Sequence, residues 1–311
     1  LEGMIEDVIK QAAPSPPSVA EGLPKAQPEV GIKEDPNWNG KLPLDEVKDV
    51  RRIARMISIA ESGSDYSSQL KELIELSGSR TPPGGQGGSA SEGRVAPVLG
   101  ITGTGGAGKS SVTDEIVRRF LNNFTDKTIA VISVDPSKKK TGGALLGDRI
   151  RMNSINHPRA YMRSLATRED NTALSSAVQE AIDICKAAGF DLIILESAGV
   201  GQSDASILEY CDVSMYVMTP EYGAASQLEK INMLDFADLV CINKFDKAGA
   251  LDALADVRKQ YKRNHQLFTA KDEDLPIIGT MASKFNDDGV NHLFSLLLKK
   301  IDANTKITFG D

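Results

Sequence analysis

The chain has 311 residues, 41% apolar and 25% charged, with a net charge of −7. That bounds it to one large or two small globular domains, and the acidic balance argues against general nucleic-acid affinity. No apolar run approaches the ~20 residues of a membrane span, and Glu2, Glu6, Asp7 and Lys10 interrupt the first apolar positions, so no signal peptide is visible. The one tight basic run, Lys138-Lys139-Lys140, reads as a solvated loop. Cys185, Cys211 and Cys241 form no Cys-x-x-Cys pair and read as free thiols of a reducing, cytoplasmic compartment.

In chain order, residues 1–12 read as a helix end with Met4, Ile5, Val8 and Ile9 on one face. The start at Leu1 rather than methionine fits a piece of a longer polypeptide. Residues 13–43 carry seven prolines, among them Pro14, Pro24 and Pro43, and read as an extended connector. Over 44–77, Val47, Val50, Ile53, Ala54 and Ile57 recur at helical spacing. Leu70, Leu73, Ile74 and Leu76 form a second face after Gly63, giving a small helical hairpin that needs a packing partner. Residues 78–94 read as a flexible linker. From Val95 to about 303, strands are expected at 98–102, 128–134, 191–196, 213–218, 239–242 and 276–280. Helices are expected near 109–122, 171–187, 224–235, 248–263 and 288–302, with a tail over 304–311. This alternation predicts an α/β fold: a mostly parallel sheet with helices on both faces, binding ligands beyond the strands' carboxyl ends.

Gly103-Thr104-Gly105-Gly106-Ala107-Gly108-Lys109-Ser110 fits G-x-x-x-x-G-K-S and sits between a strand and a helix, the context of a P-loop NTPase. Its glycines let backbone N–H groups converge on phosphate oxygens, helped by the helix dipole. Lys109 is expected to reach the β- and γ-phosphates, Ser110 to ligate Mg²⁺, and Ser111 to join the nucleotide contacts. Asn243-Lys244-Phe245-Asp246 follows a later strand. Asp246 can accept from guanine N1–H and the exocyclic amine, a donor pair that adenine lacks. Asn243 would hold the loop and Lys244 would lie along the ring; Ser283 is placed to complete the base pocket, with a surface loop as its alternative.

Glu196 ends strand 191–196 and precedes Ser197-Ala198-Gly199, where many GTPases carry Asp-x-x-Gly. It is expected to hold Mg²⁺ and serve the hydrolytic step with Lys109. Asp135 ends the strand expected to lie beside the phosphate strand and is a second metal candidate. Asp148, in a glycine-rich stretch, is a further one or a turn residue. Gln202 is a candidate for positioning the attacking water, in a register unlike that of small GTPases. Arg151 is a phosphate contact or a solvated arginine.

Val134-Asp135-Pro136-Ser137, Thr141-Gly142-Gly143 and Leu146-Gly147-Asp148-Arg149-Ile150-Arg151-Met152 together resemble the MeaB-type GTPases. Those are chaperones of adenosylcobalamin-dependent acyl-CoA mutases. The stretch Glu196–Ser203 also fits, although family members usually carry Thr near Glu196. Tyr161–Ala166 and Thr219–Lys230 resemble one branch, the G-domain inside fused isobutyryl-CoA mutases.

The resemblance covers about 95–300; it likens 44–77 to that branch's linker and 1–9 to the last helix of a preceding cobalamin-binding domain. It implies GTP hydrolysis that gates adenosylcobalamin loading and protects a mutase. Asp135, Asp148, Glu196 and Ser110 match its Mg²⁺ and switch positions, and Arg151 its nucleotide-contacting arginine. Implied partners are cobalamin-binding and substrate-binding domains in cis, in a homodimeric parent, with no nucleic acid or membrane. The cobalt-ligating D-x-H-x-x-G is missing: Ile155, Arg263 and Val290 stand two positions before His157, His265 and His292. Cobalamin and the mutase radical step are therefore expected only in other domains. The competing functions are a P-loop kinase, a nickel-centre assembly GTPase, and a nucleotide-bound structural module.

Overall fold

The computed structural model describes residues 49–77, 96–136, 152–167, 177–198, 204–223, 228 and 231–309. Two helices come first, α1 (Val50–Glu61) and α2 (Ser67–Ser77). The alternating region follows as β1 (Val98–Gly103), α3 (Lys109–Asn123), β2 (Ile129–Pro136), β3 (Ala160–Thr167), α4 (Val178–Ala187), β4 (Leu192–Glu196) and β5 (Val213–Met218). It ends with β6 (Leu239–Asn243), α5 (Ala250–Asn264), β7 (Ile277–Thr280) and α6 (Asp288–Thr305). The seven strands form one parallel sheet in the order β3-β2-β4-β1-β5-β6-β7.

Both faces of the sheet are covered, so central strands read as continuous apolar runs rather than alternating ones. Leu192, Ile194 and Met215 pack with Val112, Ile116 and Phe120 of α3 and Leu293 and Leu297 of α6. Ile193, Leu195 and Tyr216 point the other way, into a core shared with α1, α2, α4 and α5. The two leading helices thus find their packing partner. Ile53, Met56, Ile57 and Leu73 are almost fully buried in that second core. Arg163 of β3 donates to Ser58 Oγ at 2.8 Å and pairs with Glu61.

Three expectations change. The segment 160–167 is a strand. Among the described residues it lies at the sheet edge and pairs with β2 alone, so polar Arg163 and Ser164 are tolerated in it and hide its apolar alternation. The strand carrying Asp135 does not neighbour the phosphate strand, because β4 lies between them, paired to β1 on one side and β2 on the other. Asp135 therefore stands one strand further from the phosphate loop than expected. Finally, Asn232–Asp235 forms a 3₁₀ turn closed by short-range bonds such as Phe236 N–H to Met233 O at 3.2 Å. Only Leu228 is described before it within 224–230.

The chain does not stop at the last helix. Phe309 returns to pack edge-on against Phe120, centroids 5.3 Å apart, and against Phe124. No helix among the described residues is long and apolar enough to cross a membrane.

Candidate nucleotide and metal site

The phosphate loop runs from the carboxyl end of β1 into α3. Gly103 is enforced by space: a Cβ there would stand 1.9 Å from the Val217 carbonyl oxygen of β5. Gly108 is enforced by conformation, with φ +88° at the N-cap of α3 and no side chain capping the helix. First-turn N–H groups without a capping side chain, at the positive end of a helix dipole, form a ready anion site. Lys109 arches back over the loop, its Nζ donating to Gly103 O at 3.2 Å and to Thr104 O at 3.5 Å. Gly105, Gly106 and Ser111 are exposed on the outer side of this turn.

The loop at the end of β6 is bonded directly to it. Asn243, 3% exposed, donates from Nδ2 to Ala107 O at 2.9 Å, and Lys244 Nζ donates to Gly106 O at 2.8 Å. Lys244 adopts φ +58°, a left-handed conformation unusual for a side-chain-bearing residue. Asn243 Oδ1 accepts from Ala282 N at 3.1 Å and Thr280 Oγ1 at 3.3 Å, so its amide orientation is set from the end of β7 as well. Asp246 and Ser283 are exposed at this rim. The turn bearing Ser283 is held by buried Asp287, whose Oδ2 accepts from Met281 N at 3.1 Å and Val290 N at 3.0 Å.

On the other flank, Glu196 at the end of β4 is 2% exposed. Its Oε1 accepts from Ser110 Oγ at 2.7 Å and its Oε2 from Thr113 Oγ1 at 3.0 Å. Asp135, also 2% exposed, is the last residue but one of β2, two beyond Ser133, which is the register partner of Glu196. Serine hydroxyl and carboxylate oxygens are hard donors of the kind that Mg²⁺ takes. The residues present therefore fit Mg²⁺. Asp148, Arg151 and Gln202 lie outside the described residues.

Sequence reading missed several residues here. Thr113 stands one helical turn after Ser110, and that three-residue spacing was a usable signal. Arg119 of α3 donates to Asn291 Oδ1 at 2.9 Å and to Asp287 O at 3.4 Å, and pairs with Glu115. It ties the phosphate-loop helix to the turn that bears Ser283, and only the folded chain brings its partners together.

The family described as methylmalonyl-CoA mutase-associated GTPase MeaB matches residues 86–307. The chain belongs to that family. Among curated relatives, this MeaB-family chain is 58% identical over 259 residues to a fused isobutyryl-CoA mutase of Geobacillus kaustophilus, covering 82% of this chain and 23% of that protein. It is 60% identical over 256 residues to one of Cupriavidus metallidurans, covering 82% and 22%. The chain thus spans less than a quarter of the length of these relatives. A crystal structure of a LAO/AO transport system kinase aligns at TM-score 0.47 and 22% identity, over 82% of this chain and 78% of that one. The parallel sheet with its phosphate loop between β1 and α3 is the fold of a P-loop NTPase, and the MeaB family implies nucleotide and Mg²⁺ binding.

Proposed function

We propose that this MeaB-family chain hydrolyses GTP and serves as the G-domain chaperone of an acyl-CoA mutase, gating adenosylcobalamin loading and protecting that enzyme. The observation that carries the GTP reading is the bond from Asn243 Nδ2 to Ala107 O. It joins the motif suited to guanine to the motif suited to phosphate in one rigid cradle. In this reading Asp246 meets the guanine edge, with Ser283 beside it. Lys109 exchanges its two carbonyl partners for phosphate oxygens, and the first N–H groups of α3 hold the phosphates. Ser110, Glu196 and Asp135, with Asp148, hold Mg²⁺, which when bound neutralises charge on the phosphates. Glu196 keeps the Ser110 hydroxyl oriented, Gln202 positions water and Arg151 contacts the nucleotide.

The mutase role is supported by the family membership and by relatives described as fused isobutyryl-CoA mutases. The matching domain plan is a preceding cobalamin-binding domain ending at 1–12, a connector over 13–43, a helical linker over 44–77, a flexible segment over 78–94, and the GTPase domain over 95–303. The cobalamin- and substrate-binding domains act in cis within a homodimer.

Lys109→Ala is expected to abolish GTP binding, and unchanged turnover would overturn the phosphate assignment. Asp246→Asn is expected to shift preference from guanine toward xanthine nucleotides, since an amide can donate to the additional xanthine oxygen; retained guanine preference would place base reading elsewhere. Adding the mutase's cobalamin- and substrate-binding domains is expected to change GTP turnover, and no change would overturn the gating role.

A further inference from the structure

Ser110 and Thr113 lie three apart on α3, so their hydroxyls share the face turned to the sheet. Both donate to one carboxylate, Ser110 to Glu196 Oε1 at 2.7 Å and Thr113 to Oε2 at 3.0 Å. Thr113 is 0% exposed. A helical threonine can satisfy its hydroxyl on the carbonyl three or four residues back; here it crosses instead to a strand 83 residues away.

The two hydroxyls have different prospects when a cation enters. Ser110 is itself a ligand candidate and must then share or give up its bond to Glu196. Thr113 has no such second task. We propose that Thr113 is a positioning residue for the cation site: its hydroxyl anchors Glu196 through Oε2, so that Oε1 is presented to the Mg²⁺ shell once Ser110 turns to the metal. This rests on the GTPase reading above. The interaction is a hydrogen bond to a carboxylate in a buried setting, where such bonds are stronger than neutral ones. Without it Oε2 loses the bond from α3 that helps to aim the carboxylate.

The test follows release of a fluorescent GDP analogue from the full chain across a Mg²⁺ titration and in EDTA. Thr113→Val keeps the side chain's shape and removes the donor. It is expected to raise the Mg²⁺ concentration for half-maximal nucleotide retention about tenfold, with a release rate in EDTA within about twofold of wild type by the same reasoning. Thr113→Ser keeps the donor and should retain the wild-type Mg²⁺ midpoint, whereas Thr113→Ala should shift it; this pair differs only in the hydroxyl and decides the matter should the valine variant not fold. A Mg²⁺ midpoint equal to wild type in the variants lacking the hydroxyl overturns the proposal. Equal acceleration with and without Mg²⁺ overturns it too, because a purely structural role would move both. If wild type itself bound no guanine nucleotide, the GTPase reading would fall; bound nucleotide with unaltered Mg²⁺ dependence in the variants would sink only the role of Thr113.

Discussion

Gly108→Ala tests whether the cradle is held as described. Gly108 has φ +88°, and a Cβ added there would stand 2.5 Å from Asn243 Nδ2. Two penalties follow. Left-handed backbone costs a residue with a Cβ about 1–2 kcal/mol. Displacing Asn243 also breaks its buried bond to Ala107 O, at about 1–3 kcal/mol. The sum is about 2–5 kcal/mol, which for a domain of this size lowers the melting midpoint by roughly 4–20 °C. Gly106→Ala is the control: Gly106 also has positive φ, +74°, but a Cβ would meet nothing within 4 Å. Only the backbone term applies, about 1–2 kcal/mol. Thermal melts without nucleotide give both numbers. A cycle with Asn243→Ala isolates the contact, because the Asn243–Ala107 bond can be lost only once. The double variant should fall short of the sum of the singles by about 1–3 kcal/mol. Equal losses in Gly106→Ala and Gly108→Ala, or strict additivity in the cycle, would refute the reasoning.

Three further outcomes are expected. Lys247 holds the Glu221 carboxyl at about 2 instead of its ordinary 4.5 chiefly by a hydrogen bond, with help from Thr219. Because the folded value is the lower one, its contribution to stability is present above about 4.5 and fades as pH falls toward 2. Carbon NMR should report that low midpoint, and Lys247→Met should return it toward the ordinary range. Burial pushes Cys185, Cys211 and Cys241 up to about 12, so a thiol reagent at pH 8 should label none of them until the chain unfolds; rapid labelling of native protein would contradict this. Arg163→Met removes the ties to Ser58 and Glu61 and should cost about 1 kcal/mol. Hydrogen exchange should quicken in Val50–Glu61 while β1 keeps its protection; a uniform change would mean that α1 opens only with the whole domain.

What could be read in the sequence was whatever chemistry is contiguous. The phosphate loop needs eight adjacent residues and the strand and helix beside them, so its motif and its place in the fold were both visible. Asn243–Asp246 was visible for the same reason, together with the free, separated cysteines. The order of strands was not, because pairing partners are encoded nowhere locally. Ile129–Ile132 and Leu192–Leu195 read in much the same way, as continuous buried hydrophobes, and nothing in either run tells β4 from β2 as the neighbour of β1. The edge strand at Ala160–Thr167 was hidden for the opposite reason, its polar Arg163 being satisfied by α1 rather than by water. Arg119 escaped because its partner Asn291 lies 172 residues away; Thr113's partner Glu196 lies 83 away, and its spacing from Ser110 was the one local clue.

The interposed strand bears on how this site can communicate. β4 and β5 flank the phosphate strand, with β6 beyond β5. From β4 comes Glu196, gripping Ser110; from β5 the Val217 carbonyl, crowding Gly103; from the end of β6 Asn243 and from the next residue Lys244, gripping Ala107 and Gly106. In the proposed reading the metal side and the base side thus hold the same eight residues, Gly103 to Ser110, from opposite flanks of β1. Ser110 and Ala107 lie three residues apart in that loop, with Gly108 between them in the left-handed conformation. On the GTPase reading, coupling between base and cation occupancy needs no movement of the sheet, only a shift of this loop's bonds among its partners. Thr113 keeps one of those partners, Glu196, in place while Ser110 changes its own.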